Sequence, residues 1–122
     1  MPLKPLLILI SLSLPQSIPA DIIFQAGNSS ITANRADILD AALGRSRTED
    51  YVVHLEFTVE FGKNLFLFTS KNLGKPLTIK AFGMQIGKPK DLEYSYTDRI
   101  QITNLNKKEA ELIVNSIKKQ GD

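Results

Sequence analysis

Apolar and polar side chains alternate strictly from Tyr51 to Phe57. Tyr51, Val53, Leu55 and Phe57 take one side and Val52, His54 and Glu56 the other, which is the period of a half-buried strand. The period then changes. Phe61, Leu65 and Phe68 recur at i, i+4 and i+7, and Phe66, Leu67 and Leu73 widen the stripe. A helix follows from that spacing, and it is expected to be the most buried of the chain, with Phe61, Leu65 and Phe68 at the core's centre. Thr58 suits its N-cap and Glu60 the positive end of its dipole. Gly74 supplies a stop, and Pro76 cannot continue a helix. Leu77, Ile79 and Ala81 then alternate with Thr78, Lys80 and Phe82, and Gly83 allows a tight turn into Met84-Gln85-Ile86, a hairpin.

The flanking segments are less regular. Ile22-Ile23-Phe24 reads as a short first strand before the turn cluster Gly27 to Ser30. Thr32 or Asn34 can cap a helix over roughly Ala33 to Leu43, with Ile38, Ala41 and Ala42 on one face and Gly44 as its stop. Arg45 to Asp50 reads as a charged loop, and Gly87 to Thr97 as the least regular stretch. Ile100 and Ile102 alternate with polar neighbours in a last strand. Asn106 and Glu109 form a capping box before a helix that aligns Ala110, Ile113, Val114 and Ile117. The order is (β)-α-β-α-β-β-α. It predicts a single compact α+β domain with a mixed or antiparallel sheet and helices packed on one face. The other face, with Val52, His54, Glu56, Thr78 and Lys80, is expected to be at least partly solvated.

The N-terminus changes the picture of where this domain works. Lys4 precedes an apolar run from Leu6 to Leu14, broken by Pro15 and Pro19, with Ala20 as a cleavage position. That is the layout of a secretory signal peptide over 1–20, leaving a domain at 21–122. The run is about half of the roughly 20 residues that span a bilayer. An N-terminal anchor at the inner membrane is the rival reading, since Ile18 is large for a signal-peptidase site. The chain has no cysteine, so disulfides, zinc–thiolate sites and a lipoprotein anchor are excluded. The formal charge of +2 falls to +1 if Lys4 leaves with the leader. A near-neutral exported chain is not a nucleic-acid binder.

From about Thr32 to Lys119 the chain resembles the head subdomain of the first periplasmic domain of SecD, the membrane partner of the bacterial Sec export channel. Several pieces in order carry the likeness: the capped opening segment with Asp37 and Ala41, the strand and cap Val52 to Thr58, and the last strand and helix, Ile100 to Thr103 and Glu109 to Leu112. The nearest match is Thr69-Ser70-Lys71-Asn72-Leu73-Gly74-Lys75-Pro76-Leu77-Thr78-Ile79. Phe82 departs from the acidic residue usual before the hairpin glycine. Leu92 to Asp98 lacks the glycines usual there. The resemblance implies a fold, a periplasmic or secreted location and an affinity for extended polypeptide. It does not imply energy-coupled translocation, because no counterpart of SecD's transmembrane bundle is expected here.

Candidate chemistry is sparse. His54 is the one histidine and shares a strand face with Glu56, the minimum for a base and its orienter. A sheet-face histidine explains it as well. Asp91, Glu93 and Asp98 lack the spacing of a calcium loop. Asn28-Ser29-Ser30 matches a glycosylation acceptor, without meaning in a bacterial chain. No cofactor, metal or catalytic residue is therefore expected, and the domain is expected not to be an enzyme. Asn72 to Pro76 reads first as a helix stop, with Lys75 a candidate border of a binding groove. Lys88, Lys90, Tyr94, Tyr96 and Arg99 have the composition of a contact surface. These six residues are the candidate partner contacts. The partner is an extended or unfolded polypeptide, bound by strand addition at Met84 to Lys88 or Arg99 to Thr103. Alternatively the domain is a structural or regulatory subunit docked on a membrane envelope complex.

Overall fold

The computed structural model describes residues 21–48 and 50–121, so the signal peptide expected at 1–20 lies outside the described residues. Ile22–Ala26 (β1) and Ser29–Ala33 (β2) form a hairpin, and a 3-10 turn follows at Arg35–Asp37. Strands Ile38–Arg45 (β3) and Tyr51–Phe57 (β4) lead to helix Val59–Lys71 (α1). Pro76–Ala81 (β5), Met84–Asp91 (β6) and Arg99–Leu105 (β7) precede helix Lys107–Gly121 (α2). All strand pairs are antiparallel, in two sheets ordered β2-β1-β5-β6 and β3-β4-β7. The α+β class is as the sequence implies.

Three expectations change. The helix over Ala33 to Leu43 is a strand. Asn34 does cap, but only one turn: its Oδ1 accepts the Asp37 N–H at 3.2 Å, while Asp37 Oδ2 accepts the Asn34 N–H at 3.0 Å. Ile38 is then extended, and β3 runs the length of β4. Helix preference is worth only tenths of a kcal/mol per residue. Pairing with β4 and burial of Ile38 and Ala41 outweigh it. There are two helices among the described residues, not three. The single sheet also divides. Thr78 and Lys80 lie in β5, whose partners are β1 and β6, whereas Val52, His54 and Glu56 lie in β4 of the other sheet, and Val52 is buried.

α1 is buried along one stripe only. Phe61 and Leu65 are core and Phe68 is half-buried, but Phe66, Leu67 and Leu73 are exposed by 46%, 56% and 49%. At 100° per residue, Leu67 falls on the face opposite the Phe61–Leu65–Thr69 row and Phe66 on its flank.

The two sheets share no paired strand. Side chains join them. Phe24 from β1 meets Phe57 from β4 edge-on at 6.1 Å, and Phe61 of α1 lies 4.8 Å from Phe57 and 6.4 Å from Phe24. α2 packs chiefly on β3 and β4 through Ala110, Ile113, Val114 and Ile117. The β5–β6 turn is as expected, with Phe82 and Gly83 both at positive φ (55° and 79°), the two-residue geometry that matches strand twist.

α1 also sits hard against the segment that enters β7. A Cβ on Gly62 would lie 2.6 Å from Asp98 Cβ and 2.9 Å from its backbone N and Cα. Gly62→Ala gains about 1 kcal/mol of helix preference yet is expected to destabilise by about 1–3 kcal/mol through overpacking. A urea midpoint equal to or above wild type would contradict the close packing.

Candidate binding groove

β6 and β7 are edge strands of different sheets, and they run close together without pairing. Between them lies a groove of about 780 Å3. Buried Leu77, Ile86 and Ile102 and half-buried Ile79 form its floor. Exposed Lys88, Lys90 and Tyr94 stand at its mouth, with half-buried Tyr96 between. Part of the stretch read as irregular is thus strand, since β6 continues to Asp91.

Each edge is bulged beside the groove. In β6, Ile86 pairs with Ile79 but Lys90 with Leu77, so residues 87–89 face Thr78 alone, and Gly87 takes φ 68°. In β7, Ile102 pairs with Val53 but Leu105 with Tyr51, and Asn104 takes φ 59°. Glycine and asparagine tolerate that left-handed conformation. Glu109 ties the two edges to α2. Its Oε1 accepts the Asn106 N–H at 3.1 Å while Asn106 Oδ1 accepts the Glu109 N–H at 2.8 Å, the expected capping box. Its Oε2 accepts the Gly87 N–H at 3.3 Å, a second bond that no local pattern announces.

The tyrosine segment between β6 and β7 is pinned at several points. Leu92 is buried; its N–H donates to the Lys75 carbonyl at 2.9 Å and its carbonyl accepts the Gly74 N–H at 2.8 Å. Ser95 Oγ lies 2.7 Å from Ser70 Oγ. The Tyr96 N–H donates to Thr69 Oγ1 at 2.9 Å, and the Thr69 hydroxyl donates to the Leu65 carbonyl at 2.8 Å. Thr69 is fully buried, and these bonds explain how a polar group is accommodated there. The Phe57 N–H closes on the Asp98 carbonyl at 2.7 Å. Tyr94 and Tyr96 then lie ring against ring, 5.6 Å apart.

Of the six candidate contacts, Lys88, Lys90, Tyr94 and Tyr96 come together at this groove. Arg99 does not line it. It lies with Tyr94 and Tyr96 around a shallower cavity of about 510 Å3 on the outer face of the three-stranded sheet, and its guanidinium is 3.5 Å from Glu56 in an exposed ion pair. Lys75 lines neither cavity; its side chain lies near Gly27 of the β1–β2 turn. Asn72 caps α1, its Nδ2 donating to the Phe68 carbonyl at 2.7 Å. Ile86 and Ile102 read in the sequence only as strand positions, and Thr69 only as part of the SecD-like run, none of them as part of a site. Alternation marks the first two as core, and nothing local marks Thr69.

His54, Glu56, Ser95 and Thr97 all border the 510 Å3 cavity, but they form no relay. The Ser95 hydroxyl is bonded to Ser70, and no hydrogen bond links His54 to Glu56 or Ser95. Among the described residues, no three of His, Cys, Asp and Glu cluster as metal ligands. None of the described helices is long and apolar enough to cross a membrane. The outward face of α1 is apolar at Val59, Phe66 and Leu67, beside Thr97 and Asp98.

No protein-family model and no curated protein matches the chain. Solved structures do. One is the crystal structure of SecDF in its super-membrane-facing form, 27% identical with a TM-score of 0.60, over 71% of this chain and 12% of that one. Another is a structure of SecDF, a membrane component that enhances protein export, 25% identical with a TM-score of 0.60, over 71% of this chain and 39% of that one. The resemblance to the SecD head is therefore one of fold as well as of sequence. The chain spans a small part of those proteins.

Tyr96 offers a check on the groove's packing. Burial, and secondarily Tyr94, raises its phenol above the ordinary tyrosine value of 10.0. Ionisation is then harder in the folded than in the unfolded chain, so the stability this group contributes is whole below that value and is lost as pH rises through the raised one. The urea midpoint of Tyr96→Phe is expected to fall less steeply than wild type between about pH 9 and pH 12. Equal slopes would mean that the phenol is not buried.

Proposed function

We propose that this chain is an exported, non-enzymatic binding module of bacterial protein export, working in the periplasm, whose β6–β7 groove takes up an extended segment of polypeptide. One observation carries the reading: two edge strands from different sheets face a single groove with an apolar floor. An inserted strand would find unpaired backbone groups on its flank and a place for every second side chain beneath it. The likeness to SecDF supports the export context, since one of those structures is of a component that enhances protein export.

The apolar outward face of α1 favours a second reading, docking on a membrane-bound export complex. NMR titration of the isotope-labelled protein separates the two. With an unfolded secreted protein, amide shifts are expected in Ile86 to Lys90 and Gln101 to Asn104. Shifts confined to Val59 to Leu67 on adding a solubilised export complex would favour docking instead. Unshifted β6 and β7 amides at high peptide concentration would overturn the proposal.

A further inference from the structure

Building on the proposed polypeptide-binding groove, we infer that it selects extended segments in which acidic side chains alternate with apolar ones, β7 pairing with the segment's backbone while Lys88 and Lys90 of β6 read its acidic side chains. The two edges differ in what they offer. β6 is interrupted at the groove by the bulge at Gly87, whose N–H is already held by Glu109, and by Pro89, which has no N–H to give. Its backbone is poorly suited to accept a strand there. β7 is bulged too, between Ile102 and Leu105, but along the groove from Gln101 to Asn104 it has no proline, none of its N–H groups is held by a side chain, and it pairs on one side only, with β4. Backbone pairing thus falls to β7.

Side chains of a bound strand alternate between two directions. Those aimed inward meet Ile79, Ile86 and Ile102 and must be apolar. Those aimed at the mouth meet two exposed ammonium groups, Lys88 and Lys90, neither of which has a hydrogen bond or an ion pair. Two carboxylates also border the groove. Glu109 is held by the Asn106 and Gly87 N–H groups at the positive end of α2, and Asp50 accepts from the Thr48 hydroxyl at 3.3 Å. Both carboxylates keep their charge, but each already has hydrogen-bond donors, whereas the two lysine ammoniums at the mouth have no partner and are the cations available to an acidic side chain. Lysine and proline on an edge strand also deter chance pairing between copies; a purely protective role would leave peptide charge without effect.

Fluorescence anisotropy on the full chain distinguishes these, using two labelled nine-residue peptides, one alternating valine with glutamate and one valine with lysine. Wild type is expected to bind the glutamate peptide roughly tenfold more tightly, the scale of two exposed ion pairs, with the preference shrinking as salt rises. The double variant Lys88→Glu/Lys90→Glu, at exposed positions that leave the fold intact, is expected to prefer the lysine peptide. Equal affinities in both proteins would overturn the selection and leave the groove reading standing. Failure of both peptides to bind, with β7 amides unshifted, would remove both.

Discussion

The contact among Phe24, Phe57 and Phe61 is the constraint on which the rest of the structure depends. The two sheets exchange no backbone hydrogen bonds, so side chains must hold them together. Each ring comes from a different element: β1 and β4 are interior strands of their sheets, and Phe61 of α1 meets the ring from each. Burying a phenylalanine contributes about 1.5–3 kcal/mol, and aromatic pairs add about 0.5–1.5 kcal/mol. Those sums are comparable with the whole stability of a small domain. Joining the sheets at their interior strands also leaves the outer edges of β6 and β7 unpaired. The groove is a by-product of where the sheets are joined.

The same helix that anchors the core also shapes the groove. Phe61 and Leu65 enter the core from α1, Gly62 lets the chain at Asp98 approach closely, and Thr69 receives the Tyr96 N–H. The tyrosine segment is thereby clamped along one helix face, and Tyr94 and Tyr96 are presented between the two cavities. Glu109 does the corresponding work at the other end, fixing the β6 bulge to the start of α2. A bulge gives up ladder bonds and bends the strand. Two of them facing each other keep β6 and β7 from pairing with one another.

Local chemistry was legible where it was periodic or capped. The strand at Tyr51–Phe57, the helix begun by Thr58 and stopped at Asn72–Gly74, the Gly83 turn and the Asn106–Glu109 box all stand as the residues imply. Ile38 to Arg45 was not legible, because its alanines and leucines suit a helix and only the partner strand β4 decides otherwise. Nor does alternation within a strand encode its neighbour, so the division into two sheets was hidden. For the candidate contacts, Lys88, Lys90, Tyr94 and Tyr96 converge because one bulged strand and one clamped segment carry them. Lys75 and Arg99 lie elsewhere, since closeness in sequence says little across a turn.

With β6 interrupted at Gly87 and Pro89, the proposed strand addition turns on β7. Hydrogen–deuterium exchange, resolved by residue and compared with and without a saturating extended peptide, tests this most directly. In the free protein, amides of β7 that do not face β4 should exchange quickly while those of β1, β4 and β5 stay protected. The peptide should slow the β7 amides and leave the core strands as they were. Outward β7 amides already protected in the free protein, or unchanged by bound peptide, would contradict an open edge that receives a strand.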